Sequence, residues 1–296
     1  MVRVCSPAGS LAVLLALAGC GQVEQPALEP QPGDPPVATF TATGGGFSGP
    51  DTVAAGAVRV RLEAPDGGLE HLSLVRLEEG HTVAEFLTAV EVHYPPYWAR
   101  FLGGPNAPRP GAPAEAVVAL APGNYAAVSM VLGAEGLPRV RRGMVRPLTV
   151  VDSGPGVALP THTTLLQLYD YGFHLAAPLL PLSQVVKVEN LSPQRHEVVL
   201  VRLAPDRTPQ EMAEYLLDLA AGRPVGVAPG DLVGGVAPLS QGQSALWTVS
   251  LSLGSYALLC LLADDGDGRP HTQHGHMMQV NVVTPDQLIP PDSGRP

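Results

Sequence analysis

The chain writes one pattern twice. Leu74-Val75-Arg76-Leu77 returns as Leu200-Val201-Arg202-Leu203, and Gly123-Asn124-Tyr125 returns as Gly254-Ser255-Tyr256. Between these anchors, Thr82-Val83-Ala84-Glu85 is matched by Thr208-Pro209-Gln210-Glu211, and Gly103-Gly104 by Gly234-Gly235. The period is about 130 residues, far beyond the 20–50 residues of a solenoid unit. It fits two copies of one domain, residues 38–152 and 164–284, with residues 153–163 as the linker.

Within each copy the pattern is mainly strand. Ala57–Leu62 alternates apolar and basic residues, and Gln184–Glu189 does so more loosely. His196–Leu203 and Ser244–Leu259 are rich in Val, Leu, Trp and Tyr. Alternation with one buried face implies an antiparallel sheet. Thr82-x-x-Glu85 and Thr208-x-x-Glu211 are capping boxes, and Pro209 takes the first helical position. They predict helices over 83–92 and 209–221. The Gly/Pro-rich excursions Tyr94–Pro113 and Gly222–Pro238 read as long loops. The expected fold class is all-β: two tandem sandwiches, each with one short helix and long loops.

Residues 1–19 have a single charge, Arg3, and a short apolar run at Leu11–Ala18. They read as a secretory signal, too short for a membrane span. Leu17-Ala18-Gly19-Cys20 resembles a bacterial lipobox, which makes Cys20 the expected lipidated residue. Gly21 follows rather than Asp, which by resemblance to lipoprotein sorting does not retain a protein at the inner membrane. The expectation is an exported protein, lipid-anchored in the bacterial cell envelope, at the outer membrane facing the periplasm or the cell surface. Residues 20–37 are proline-rich and read as an extended tether. Residues 285–296 read as a flexible tail. Loss of Arg3 leaves 16 basic against 27 acidic side chains, and no basic block tracks phosphates. Nucleic acid is therefore not expected as a partner. The membrane surface is, through the lipid anchor.

With Cys5 and Cys20 assigned to export, Cys260 stands alone on an apolar run. His271, His274, His276, Met277 and Met278 follow it closely. Cys, His and Met are soft or borderline ligands, and a His2Cys set with a weak Met suits mononuclear copper. The alternative is a buried cysteine that acts as a small hydrophobe beside a solvated histidine loop.

The second copy resembles the cupredoxins, the Greek-key β-sandwich copper proteins. The residues that carry the resemblance are Val188-Glu189-Asn190, His196, Gly254-Ser255-Tyr256 through Cys260, Pro270-His271, Gly275 with a following methionine, and the closing strand Gln279–Val283. Asp170-Tyr171-Gly172-Phe173 is similar to the opening strand of a cupredoxin-like group in exported bacterial proteins. The resemblance implies His196 and His271 as imidazole ligands, Cys260 as thiolate and Met277 as axial ligand to one copper ion. Asn190 is a candidate supporting donor. A redox or copper-handling protein is the implied partner.

Two departures stand out. Ten residues separate Cys260 from His271, including Asp264-Asp265-Gly266-Asp267-Gly268, a turn signal. A hairpin centred near Asp265–Gly266 would place Cys260 opposite His271. His276 occupies the expected methionine position after Gly275, so either Met277 or His276 completes the site. A third imidazole would make a harder site, closer to zinc or redox-inactive copper. In the first copy, Glu70 aligns with His196, Ser129 with Cys260 and Arg139 with His271, while Gly143-Met144 remains. That copy is expected to bind no metal and to serve as a spacer or docking surface. His71, one residue on from Glu70, points to the other face of a regular strand.

The leading reading is a lipid-anchored copper protein for electron transfer or copper handling. Its rival is a metal-free structural or protein-interaction module. No acid–base or nucleophile set stands out, so an enzyme is not expected. The copper reading requires His196, Cys260 and His271 to lie within about 4 Å of one another, because metal bonds are about 2.0–2.3 Å long.

Overall fold

The computed structural model describes residues 33–65, 69–92, 95–109, 111–133, 137–154 and 156–288. The signal segment, Cys20, most of the tether, Tyr94 and residues 289–296 lie outside them. Residues 285–288 form a short 3-10 turn rather than free tail. No helix of the described residues is long and apolar enough to cross a membrane.

The first copy contains β1 (Val37–Thr43), β2 (Gly46–Ser48), β3 (Thr52–Ala54), β4 (Gly56–Glu63), β5 (Ser73–Leu77), α1 (Val83–Val92), β6 (Ala99–Phe101), β7 (Ala114–Leu120), β8 (Gly123–Val128) and β9 (Val145–Val151). The second contains β10 (Thr164–Tyr169), β11 (Gly172–Leu175), β12 (Ser183–Asn190), β13 (His196–Leu203), α2 (Pro209–Ala220), β14 (Gly230–Leu239), β15 (Ser244–Ser250), β16 (Gly254–Leu259) and β17 (Met277–Val282). In the second copy β11-β10-β12-β15 packs over β14-β13-β16-β17. Numbered within that copy, this is 2-1-3-6 over 5-4-7-8, a Greek-key sandwich of cupredoxin-like order. The first copy repeats it and adds β3 at one edge.

The two copies share a sheet. Its order, β11-β10-β12-β15-β7-β4-β1-β2, reads the same from either end when equivalent strands are exchanged. The join is β7 against β15, at Val117 and Leu246. Most pairings are antiparallel, but β1 with β4, β10 with β12 and β3 with β9 are parallel. The linker is also fixed, since the Ala57 N–H donates to the Val157 carbonyl at 2.8 Å.

Both helices begin at their capping boxes. The Glu211 N–H donates to Thr208 Oγ1 at 3.2 Å, and the Thr208 N–H donates to Glu211 Oε2 at 2.8 Å. Thr82 and Glu85 make the same reciprocal pair. Met212, Ala213 and Leu216 of α2 pack with Val199, Val201, Ala257 and Leu259 on the outer face of the second sheet. Each buried large side chain contributes about 1.5–3 kcal/mol.

The excursion 222–238 is not simply a loop, because most of it forms β14 along β13. Its Gly-Gly pair hid the strand, and the structure explains that pair. A Cβ on Gly235 would lie 1.8 Å from the Val198 carbonyl oxygen, and one on Gly104 would lie 2.1 Å from that of Leu72. Both backbones also have positive φ, 156° and 145°. The repeated glycines thus let equivalent strands approach closely, and there the copies join. The Ala237 N–H donates to the Gly104 carbonyl and the Gly103 N–H to the Pro238 carbonyl.

The aromatic run after α1 divides. Trp98 stacks on His81 with centroids 4.0 Å apart, whereas Tyr97 is exposed.

Gly235→Ala is expected to destabilise the fold by about 2–4 kcal/mol through backbone collision and strain. Urea unfolding of the variant checks this. An unchanged midpoint would contradict the close approach.

Candidate metal centre

Four side chains from three places in the second copy meet in its interior. His196 opens β13, Cys260 follows β16, His271 begins a 3-10 turn and His276 lies between that turn and β17. Their donor atoms all lie within 4.8 Å of one another. His196 Nδ1 is 3.1 Å from His271 Nδ1, while Cys260 Sγ is 3.3 Å from His271 Nδ1 and 3.9 Å from His196 Nδ1. The separations required by the ligand reading are therefore met. None of the four is more than 1% exposed.

Local sequence explains each position. Asn190 Nδ2 donates to the Gln194 and Leu239 carbonyls at 2.7 and 2.8 Å, and its Oδ1 accepts the Ser192 N–H. This pins the loop that delivers His196. Asn190 thus organises the backbone, and the bond to Cys260 Sγ comes instead from the Glu197 N–H at 3.5 Å. The turn His271–His274 ends at Gly275, whose φ of 89° is the left-handed region a side chain rarely adopts. That reversal sends His276 back into the interior.

The hairpin differs in detail from the expected one. Ala263 pairs with Pro270, and the Asp264 N–H donates to the Arg269 carbonyl. The backbone partner of Cys260 is His276, whose carbonyl accepts the Cys260 N–H at 3.2 Å. His271 lies opposite Leu262 and reaches back to Cys260 with its ring. Asp264 closes the turn, with Oδ1 accepting the Gly266 and Asp267 N–H groups.

Met277 is not brought to the other donors. It pairs with Leu259 and packs into the outer cluster beneath α2. Met278 pairs with Leu258 and turns to the inner core. Strand alternation makes this unavoidable: with His276 facing inward, its neighbour faces outward. The structure thus places His276, not Met277, with His196, Cys260 and His271. His274 lies outside this group, 3.2 Å from Asp267.

The surrounding groups set the proton positions. His196 Nε2 lies 2.9 Å from Asp170 Oδ1, and His271 Nε2 lies 3.3 Å from Gln194 Oε1. If each Nε2 donates its proton, both Nδ1 lone pairs face the centre, the arrangement that outer partners impose on metal-ligating histidines. Tyr171, whose hydroxyl donates to Asp264 at 2.6 Å, covers His271 edge-on. Sequence reasoning named the Asp170-Tyr171 segment as a strand opening but missed its place over the site. A short polar turn gives no signal of what it will cover.

Burial lowers all three histidine pKa values: His196 below its ordinary value, His271 to about 4 and His276 to about 2. For His271 and His276 the neighbouring rings add to the effect. The rings are therefore neutral and able to act as ligands at pH 7. Burial, with help from the Glu197 charge, raises the Cys260 thiol strongly, so without a cation it holds its proton.

The first copy supplies the contrast. The Ser129 N–H donates to the Met144 carbonyl as Cys260 does to His276, so Met144 stands at the position of His276. Ser129 Oγ donates to Glu70 Oε1 at 2.5 Å, and Arg139 Nη1 donates to Glu70 Oε2 at 2.6 Å. The three residues aligned with His196, Cys260 and His271 thus meet in space and satisfy one another. A guanidinium supplies the positive charge there. Among the described residues of the second copy no guanidinium or ammonium is paired with His196, Cys260, His271 or His276. Among the described residues neither ring nitrogen of His276 makes a hydrogen bond of good geometry, although the Gly172 backbone lies near enough to act on the ring. A buried polar atom without a partner costs about 1–3 kcal/mol, and a bound cation removes that cost. Three imidazoles and a thiolate fit a copper ion.

No family model matches the chain, and no curated protein matches its sequence. Solved structures similar to it include auracyanin from Roseiflexus castenholzii, at 19% identity and TM-score 0.29, over 40% of this chain and 94% of that one. Auracyanin B matches at 20% identity and TM-score 0.28, over 43% and 93%. The copper-containing nitrite reductase of Thermus scotoductus matches at 11% identity and TM-score 0.23, over 84% and 61%. The fold assignment rests on the strand order given above.

Metal uptake is expected to release about one proton, from the Cys260 thiol, because the histidines are already neutral. Calorimetric titration at pH 7 in buffers of different ionisation enthalpy measures it. Cys260→Ser should bind without that release. Equal release by the variant would remove the thiolate from the ligand set.

Proposed function

We propose that the second copy holds one copper ion at His196, Cys260, His271 and His276, and that the chain carries single electrons outside the cytoplasm. The observation that supports this reading is the convergence of four buried donor residues, His196, Cys260, His271 and His276, within 4.8 Å of one another. When bound, copper would supply a one-electron couple. The protein's own part is to fix its ligands in advance. The Asn190 bonds, the Gly275 reversal and the Asp170 and Gln194 contacts hold the donors before any ion arrives. Burial keeps water from the centre and leaves no ligand open to a substrate, which suits electron transfer better than catalysis. Copper handling is the neighbouring role within this reading.

In the same proposal, Cys20 carries a lipid and the proline-rich tether holds the sandwiches away from the membrane of the cell envelope. The partner is a redox or copper-handling protein. The first copy has an internal Glu70–Arg139 pair at its equivalent position and acts as a structural spacer.

A second reading rests on one observation, the imidazole of His276 where a thioether was expected. Three nitrogens and one thiolate also make a closed tetrahedral zinc site.

Metal analysis of the mature chain separates the two readings. Electron transfer requires about one copper per chain, with visible absorption that is lost in Cys260→Ser. Stoichiometric zinc that resists exchange for copper would favour the structural site, and no retained metal would defeat both. His276→Met should raise the reduction potential of the copper-loaded protein in voltammetry, because a weak thioether stabilises the oxidised ion less than imidazole does. An unchanged potential would place His276 outside the ligand set.

A further inference from the structure

A cavity of about 340 Å³ lies where the two copies meet. Phe101 and Val131 from the first copy and Val199, Leu216 and Leu261 from the second give it apolar walls. This volume falls within the range of small-molecule sites, which combine apolar walls with a few placed polar groups. Here the polar groups are unequal. His71, Asn106 and Glu197 are buried and already committed to one another. Asn106 Nδ2 donates to Glu197 Oε2 at 3.0 Å, and His71 Nδ1 lies 3.3 Å from the same oxygen. Arg195 reaches Asp265 at 2.8 Å.

Arg141 is different. It lines the cavity and is half-buried; its N–H donates to the Pro138 carbonyl at 3.0 Å, but its side chain forms no hydrogen bond or ion pair among the described residues. It belongs to the 3-10 turn Arg139–Arg142, the counterpart of His271–His274. Arg139 of that turn is spent on Glu70, whereas the Arg141 side chain lines a mainly apolar chamber and pairs with no carboxylate among the described residues. The chemical complement of such a chamber is an apolar body that carries one anionic group. A planar guanidinium matches a carboxylate in particular, because it can donate two parallel hydrogen bonds.

We propose that this cavity binds a small amphipathic carboxylate, with its anionic head on Arg141 and its apolar body against Val131, Leu216 and Leu261. The cavity adjoins the metal centre, since the Glu197 N–H donates to Cys260 Sγ, but Arg141, Val131, Leu216 and Leu261 are not among the four candidate metal ligands.

The test uses the metal-free mature chain, with 1-anilinonaphthalene-8-sulfonate as fluorescent probe and decanoate as competitor. Decanoate should displace the probe saturably, and decan-1-ol at least about tenfold less well, the factor expected for one charge-assisted contact. Arg141→Gln should weaken decanoate by a similar factor and leave decan-1-ol unchanged. Ala220→Trp, whose side chain would fill the cavity, should abolish binding of both while circular dichroism and the melting temperature stay native. The proposal is overturned if decanoate shows no saturable displacement. It is equally overturned if Arg141→Gln binds decanoate like the parent, or if a natively folded Ala220→Trp still binds it. Should Ala220→Trp not fold, Arg141→Gln alone decides.

Discussion

The second sandwich is organised around a desolvated meeting of donors. Cys260, His196, His271 and His276 converge in the buried interior, and among the described residues no lysine or arginine is hydrogen-bonded to any of them. Buried lone pairs that face one another repel and forgo hydrogen bonds. The first copy resolves the same geometric problem with its own atoms, by placing Arg139 and Ser129 on Glu70. One fold therefore offers two ways to fill one position: an internal ion pair, or a ligand cage that needs an ion from outside.

The supports of the cage are spread through the chain. The Asn190 bonds fix the approach of His196, the Gly275 turn reverses the chain before His276, and Asp170 arrives from the hairpin between β10 and β11. The first copy contributes at one remove. The residues after Glu70 and His196 are equivalent in the repeat, and they face each other as His71 and Glu197 across the join. Glu197 accepts the Leu261 N–H, and its own N–H donates to Cys260. The first copy thus braces the strand ends that carry the cysteine.

Much of this was legible in the sequence. The repeat gave the two copies, the capping boxes gave both helix starts, alternation located β4 and β12, and Val- and Leu-rich composition located β13. His196, Cys260 and His271 were readable because their order and residue types are rare together. Other features were hidden for physical reasons. β14 was masked by glycines whose function is close backbone approach, a tertiary demand that looks like a loop in one dimension. The choice between Met277 and His276 depended on which way one residue faces. That was fixed only by the pairing of β16 with β17 and by the turn at Gly275. The place of Asp170 over His196, and the cavity beside Arg141, arise from contacts between segments far apart in the chain.

The most direct test is X-ray absorption at the copper edge of the loaded protein. The account predicts one sulfur at about 2.3 Å and three imidazole nitrogens at about 2.0 Å. A site with no sulfur, or with a second sulfur from methionine, would contradict the placement of Cys260 and His276 as ligands.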